Sequence, residues 1–160
     1  MLTRAKFLRL SGATAAAALA VTPEAYARAK SNDGVVRVKS IYGFQETIER
    51  LKRDIAAKGI KFFSEINQSN LAAEAGIKLT PSTLLVFGNP PLGTQFMTSN
   101  PNAGLDWPVR LLVIQDNAGA VWTVYTDFAW IAARHGIVNR GDQFKMASMV
   151  IASITSSVRA

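Results

Sequence analysis

Cysteine and histidine, which supply most thiolate and imidazole chemistry in proteins, are nearly absent from this chain of 160 residues. It contains no cysteine, which excludes disulfides, thiolate metal sites and a cysteine nucleophile. Its one histidine, His135, has no second histidine or cysteine to complete a usual zinc site. His135 is predicted in the last turn of a helix, where a cation meets the negative end of the helix dipole. We therefore interpret it as structural, and predict neither a metal site nor a cofactor.

An enzymatic alternative remains open through a carboxylate base. In a hydrolase or isomerase, Asp106 or Glu74 would be the base, and Tyr125 or His135 the acid. Those groups would have to converge in one pocket with perturbed ionisation, because a solvated carboxylate is a weak base at neutral pH. We interpret Asp106 as a turn cap and Arg110 as a surface charge on a strand. No catalytic residue is predicted.

The bend at Gly88-Asn89-Pro90 is the best candidate for a binding site. Asn89 is expected to be extended before the proline, at the end of a buried strand, where polar groups can face a cleft. Alternatively, its side chain closes the turn, as asparagine commonly does. The residues predicted to line a ligand-binding cleft here are Gly88, Asn89, Thr94, Met97, Asp106 and Tyr125.

Two periodicities predict the elements that position these residues. Alternating apolar residues predict half-buried strands, and a spacing of three and four predicts amphipathic helices. The continuous apolar run over 84–87 predicts a strand buried on both faces. The predicted strands are 34–40, 60–66, 82–87, 109–115 and 120–126, with long helices from Phe44 and Asp142 and shorter ones over 70–75, through Phe96 and after Asp127. This order predicts an α+β fold, an antiparallel sheet of about five strands with the two main helices on one face.

The first 27 residues have the pattern of a cleavable export signal peptide. Basic residues precede a short apolar run over 11–21, and a small-x-small cleavage sequence follows at 25–27. The apolar run is too short to span a bilayer, so we expect no transmembrane segment after cleavage. We expect a flexible mature N-terminus over 28–33, a single domain over 34–160, and a periplasmic or secreted location. The export route stays open between the general secretory and twin-arginine systems.

The net charge of +7 raises the question of a nucleic-acid partner. Basic residues are dense between Arg37 and Lys61, but acids on the first long helix largely neutralise them. Export would also separate the protein from chromosomal DNA. We predict no nucleic-acid binding.

One stretch of the chain resembles a known family, the domain of unknown function 302. The residues that carry the resemblance are Phe87-Gly88-Asn89-Pro90, Gly93-Thr94, Met97, Pro101, Leu105-Asp106-Trp107-Pro108, Leu111-Leu112-Val113, Gly119-Ala120-Val121-Trp122 and Tyr125. The resemblance implies a β-α-β4-α order similar to the TATA-box-binding-protein-like architecture. Members of the family often carry an Asp-His pair where this chain has Asn67-Gln68, so no metal or acid–base role of that pair carries over.

Three hypotheses about function follow from these observations. The leading one is a non-catalytic domain of the cell envelope, expected as a homodimer, that binds an unknown small ligand or an envelope protein beside the Gly88-Asn89-Pro90 bend. The second is the hydrolase or isomerase described above. The third is a structural component of an envelope assembly that pairs through an exposed sheet edge.

Overall fold

The computed structural model describes residues 29–30 and 33–159. The predicted signal peptide over 1–27, and residues 28, 31 and 32 of the predicted mature N-terminus, lie outside the described residues. The strands are β1 (Ala29–Lys30), β2 (Val35–Lys39), β3 (Lys61–Asn67), β4 (Ser82–Gly88), β5 (Val109–Gln115) and β6 (Val121–Thr126). The helices are α1 (Phe44–Ala57), α2 (Gln68–Glu74), α3 (Pro90–Ser99), α4 (Phe128–Arg134) and α5 (Gly141–Ser156), with a 3-10 helix at Pro101–Asp106.

The strands form one antiparallel sheet in the order β1-β2-β6-β5-β4-β3. The two-residue β1 adds to one edge, and β3 forms the other. The predicted α+β class, with five principal strands and two main helices, is confirmed.

One hydrophobic core lies between the sheet and the two long helices. Ile48, Leu51 and Ile55 of α1 are fully buried, and they follow the predicted spacing of three and four. On α5, Ile151 and Ile154 are buried in the same core. Every second residue of the central strands faces these helices and is buried.

The opposite face of the sheet is only partly covered. Leu84 and Val86 are half-buried, whereas their neighbours Leu85 and Phe87 are buried against the helices. The prediction that the run over 84–87 is buried on both faces was therefore wrong, because both long helices pack on one side. Leu84 lies beside Leu112 of β5, in the middle of this open face.

Local capping fixes the start and end of α4. The Asp127 carboxylate accepts a hydrogen bond from the Ala129 N–H (2.7 Å), as its position before the helix predicts. Gly136, with φ of 62°, follows the helix in the left-handed conformation that favours glycine.

Among the described residues, no helix is both long and apolar enough to cross a membrane.

Candidate functional site

The Gly88-Asn89-Pro90 bend joins the end of β4 to the start of α3. Pro90 and Pro91 open the helix, where a missing N–H costs nothing and the fixed φ is already helical. The Asn89 carbonyl accepts from the N–H groups of Leu92 (3.1 Å) and Gly93 (2.8 Å), which starts the helical ladder. The Asn89 side chain is exposed and forms no hydrogen bond with the residues that the structure describes. The alternative in which this side chain closes the turn is therefore wrong.

The indole ring of Trp107 lies against Gly88 of the bend and Gly93 of α3. A Cβ atom added to Gly93 would lie 1.8 Å from the Trp107 Nε1 atom, and one added to Gly88 would lie 3.1 Å from it. Phe63 of the edge strand meets the same indole ring edge-on, with ring centroids 6.0 Å apart. Only glycine at position 93 lets the ring lie this close.

A small cleft of about 30 Å³ opens beside the bend, between β4, α3 and α5. Its walls are almost entirely apolar: Ile60, Phe87, Gly88, Asn89, Leu92, Gly93, Phe96, Trp107, Val109, Phe128, Ala147, Val150 and Ile151. Sites for drug-sized ligands usually measure about 300–1,000 Å³, an order of magnitude more. The cleft has room for the tip of an apolar group and not for a whole ligand of that size.

Of the six residues predicted to line a cleft, Gly88 and Asn89 do so. Thr94 is exposed on α3, and its hydroxyl donates to the Pro90 carbonyl (2.6 Å). Met97 is half-buried on the same helix, with its sulfur against Gly104. Tyr125 is buried in β6, within the core between sheet and helices.

Sequence reasoning missed most of the apolar wall of the cleft. Trp107 and Gly93 both belong to the family-like stretch, but only the folded chain places the ring on the glycine. The contribution of Ala147 and Val150 from α5 depends on how that helix packs and has no local signal in the sequence.

The sixth predicted residue, Asp106, lies at the centre of a separate buried cluster. Its carboxylate accepts from His135 Nε2 (2.7 Å), from Arg110 Nη2 (3.1 Å) and from Arg134 Nη1 (3.1 and 3.2 Å to its two oxygens). The Asp106 side chain is 3% exposed. The interpretation of Asp106 as a turn cap was therefore wrong, because its buried carboxylate binds the side chains of Arg110, Arg134 and His135. Arg110 is exposed on β5, as expected of a surface charge, and its guanidinium group also pairs with Asp106.

This network limits what Asp106 can do chemically. A carboxylate offers about four acceptor positions, and four hydrogen bonds already occupy them. The His135 side chain is only 6% exposed, and its Nε2 atom is engaged by Asp106. Asp106 and His135 do converge, but the contacts found here hold side chains in place rather than present a free base.

The other groups of the enzymatic alternative lie elsewhere. Glu74 is exposed at the end of α2, and Tyr125 is buried in β6, so neither joins the Asp106 cluster. His135 lies at the C-terminal end of α4 as predicted, and its carbonyl accepts from Asn100 Nδ2 (2.8 Å).

The positions of the family's Asp-His pair have structural contacts in this chain. The Asn67 side chain accepts from the Asn70 N–H (2.9 Å) and caps α2, while the Gln68 side chain accepts from the Ser82 hydroxyl (2.7 Å). Across residues 29–30 and 33–159, no three His, Cys, Asp or Glu side chains group closely enough to hold a metal ion.

Comparison with known proteins places this architecture in a family. The sequence pattern of "Domain of unknown function DUF302" matches residues 36–154, most of the described domain. The chain belongs to the DUF302 family. An uncharacterized conserved DUF302 protein from Bacillus stearothermophilus has the same fold, with a TM-score of 0.72 and 20% sequence identity over 79% of this chain and 98% of that one.

Curated relatives of this DUF302 chain are longer proteins of the genus Brucella. Fluoride-specific ion channel FluC 1 of Brucella suis biovar 1 is 39% identical over 106 residues, which are 66% of this chain and 42% of that protein. Fluoride-specific ion channel FluC 2 of Brucella melitensis biotype 1 is also 39% identical, over 39% of its length. The chain thus spans about two fifths of these relatives.

Proposed function

We propose that this DUF302 domain is a non-catalytic binding domain of the cell envelope that receives an apolar side chain of a protein partner in the cleft beside Asn89. The observation that carries the proposal is the combination of a small apolar cleft and an unpaired amide at its rim. The saturated Asp106 carboxylate argues against the enzymatic alternative.

The size of the cleft favours a partner's side chain over a free small molecule. A volume of about 30 Å³ admits the end of an aliphatic side chain, whose remaining atoms would stay attached to a partner. Each methylene group removed from water in such a cleft contributes about 0.8 kcal/mol, so one anchor adds only part of a binding energy. The partner must therefore make further contacts around the rim.

Asn89 supplies the polar contact that orients the partner. Its side-chain amide has both a donor and an acceptor, which matches the N–H and C=O of one peptide group. Because the side chain is exposed and unpaired among the described residues, it forms such contacts without breaking an internal hydrogen bond. An extended segment of a partner fits this chemistry.

The envelope location rests on the predicted export signal, and a membrane protein is the class of partner that we propose. Support for that class comes from the relatives, since a segment 39% identical to this domain forms part of chains described as fluoride-specific ion channels. A domain joined to a membrane protein in one organism is a reasonable partner of such a protein in another.

Site-specific photocrosslinking in intact cells tests the proposal. A photoreactive benzoylphenylalanine replaces Thr94, exposed on α3 next to Gly93 of the cleft wall, in one variant and Asn117, exposed in the turn between β5 and β6, in a matched control, so that Asn89 stays in place. We expect a discrete adduct with a membrane protein from position 94 and none from position 117. Equal adducts from both positions, or none from position 94, would contradict the proposal.

A further inference from the structure

The Asp106 cluster carries more positive charge than its buried carboxylate neutralises. Two arginines, Arg110 and Arg134, share this one carboxylate. Within the described part of the chain, neither forms an ion pair with another acid. Because arginine stays protonated at all physiological pH values, the pair keeps an excess of at least one positive charge.

Each of the two guanidinium groups binds Asp106 and is at the same time about half exposed to solvent. The side chains of Arg110 and Arg134 are 51% and 44% exposed, against 3% for Asp106. Both donate to the same oxygen, Oδ1 of Asp106, at 3.1 and 3.2 Å, so they lie side by side. Arg110 Nη2 also donates to the Leu105 carbonyl (3.0 Å), which fixes that group further.

Each guanidinium group keeps donors that its present contacts do not use. An arginine side chain has five N–H donors in a planar fork. Arg110 uses only Nη2 and Arg134 only Nη1 in hydrogen bonds to the described residues. Nε and the second terminal nitrogen of each remain available. The Asp106 carboxylate cannot accept them, because its four positions are taken.

A cleft of about 10 Å³ lies directly beside Arg110, lined by Asp106, Val109, Arg110, Thr126, Phe128 and Ile131. That volume is about what one water-sized atom needs. The Thr126 side chain is half-buried, and its hydroxyl forms no hydrogen bond with the residues described. One oxygen atom of a ligand therefore fits between the Arg110 guanidinium group and the Thr126 hydroxyl. The Asp106 carboxylate also lines this cleft, and its charge is offset there by the two arginines that it binds.

We infer that Arg110 and Arg134 form a binding site for a small oxyanion: one oxygen enters the cleft between Arg110 and Thr126, and Arg134, which lies beside Arg110 outside that cleft, binds another oxygen. Oxygens of phosphate and carboxylate groups match the fork of a guanidinium group and form short, charge-assisted hydrogen bonds with it. Asp106 acts as a positioning residue: it holds both arginines in place, so little side-chain freedom is lost on binding. This inference does not depend on the partner proposed above.

Nuclear magnetic resonance titration of the isotope-labelled protein tests the site directly. The probes are inorganic phosphate and, separately, acetate, both added at constant ionic strength. We expect the Nε–H signals of Arg110 and Arg134 to shift and saturate with at least one of them, and the stronger probe identifies the ligand class. If neither anion gives a saturable shift, the inference is wrong.

Two variants that each remove one positive charge distinguish anion binding at this site from nonspecific attraction of anions to a basic protein. We expect Arg134→Gln to weaken binding about tenfold, the loss expected for one charge-assisted hydrogen bond. Arg159→Gln removes the same charge at an exposed position near the C-terminus and should leave binding unchanged. Equal losses in the two variants would overturn the inference. The titration of the unmodified protein stands even if Arg134→Gln folds poorly.

Discussion

Asp116 lies in the turn between β5 and β6, where three N–H donors bind its carboxylate. The Trp122 Nε1–H donates to its carboxylate (2.9 Å), and the N–H groups of Ala120 (2.9 Å) and Ala118 (3.0 Å) donate to its other oxygen. These hydrogen bonds, led by that of Trp122, and the charge of Lys39 lower the pKa of Asp116 below its ordinary value of 3.8. They do so because they favour the charged form of the carboxylate.

A depressed pKa in the folded state gives a definite sign to the pH effect. The stabilisation is complete above the unfolded pKa and is lost as the pH falls through the lower, folded pKa. We expect the free energy of unfolding to decrease below about pH 4, and Asp116→Asn to make that decrease shallower. Urea denaturation from neutral to acidic pH measures both curves, and identical slopes would contradict the expectation.

Residue by residue, the sequence is informative where a side chain acts locally. A short helix was predicted directly after Asp127, and the carboxylate of Asp127 caps it through the N–H of Ala129, two residues away. The contact between Asp106 and His135 joins residues 29 positions apart, and it depends on where α4 packs. Its components were recognised as candidates, but their convergence has no local signal in the sequence.

Among the elements, α3 depends on the absence of a side chain at Gly93. The higher helix propensity of alanine would by itself stabilise α3 by up to about 1 kcal/mol in a Gly93→Ala variant. The added Cβ would lie 1.8 Å from Trp107 Nε1, and overpacking of this kind costs about 1–3 kcal/mol. Since that contact is far shorter than any normal one, we expect net destabilisation of about 2 kcal/mol and a shifted indole N–H resonance of Trp107.

Thr94→Ala, at an exposed position on the same helix, is the control for this variant. It removes one hydroxyl contact with the Pro90 carbonyl and should change stability by less than about 0.5 kcal/mol. Chemical denaturation compares the two variants. A Gly93→Ala protein as stable as the original, with its Trp107 signal unmoved, would show that the ring does not pack on this glycine.

Helices and strands were predicted well where their sequence pattern is local. The apolar spacing of α1 is a local pattern, and the helix begins at Phe44 as predicted. The apolar run of β4 was misjudged, because an apolar residue on an open sheet face looks the same in sequence as one in the core. Burial on the second face depends on where the helices lie, which is a property of the whole fold.

At the scale of the whole molecule, the homodimer stays a prediction. Leu84, Leu112 and Val124 lie next to one another on three adjacent strands of the open face. The basic residues Arg37 and Lys39 lie towards the β2 edge of the sheet. Arg110 lies on the same face, opposite Val86 and two residues from Leu112. Two such faces can pack offset from each other, with the apolar residues in contact and the three basic side chains in solvent, as in sheet-on-sheet packing.

Size-exclusion chromatography with light scattering tests the dimer. We expect twice the chain mass for the unmodified protein and a single chain mass for Leu112→Lys, which places a charge in the middle of the face. Leu105→Lys, at an exposed position in the 3-10 helix, is the control and should remain dimeric. A monomeric unmodified protein would contradict the prediction.

If the cleft beside Asn89 receives a partner's apolar side chain, filling the cleft from within the protein should prevent the partner from binding. Ala147 of α5 lines the cleft, so the larger side chain of Ala147→Val occupies part of the cleft. Ala152→Val is the control, because Ala152 is half-buried on the same helix but does not line the cleft. Both variants are compared for melting temperature and for the adduct formed by the photoreactive residue at position 94. We expect Ala147→Val to keep its melting temperature and lose the adduct, and Ala152→Val to keep both. An undiminished adduct in a folded Ala147→Val protein would contradict the account.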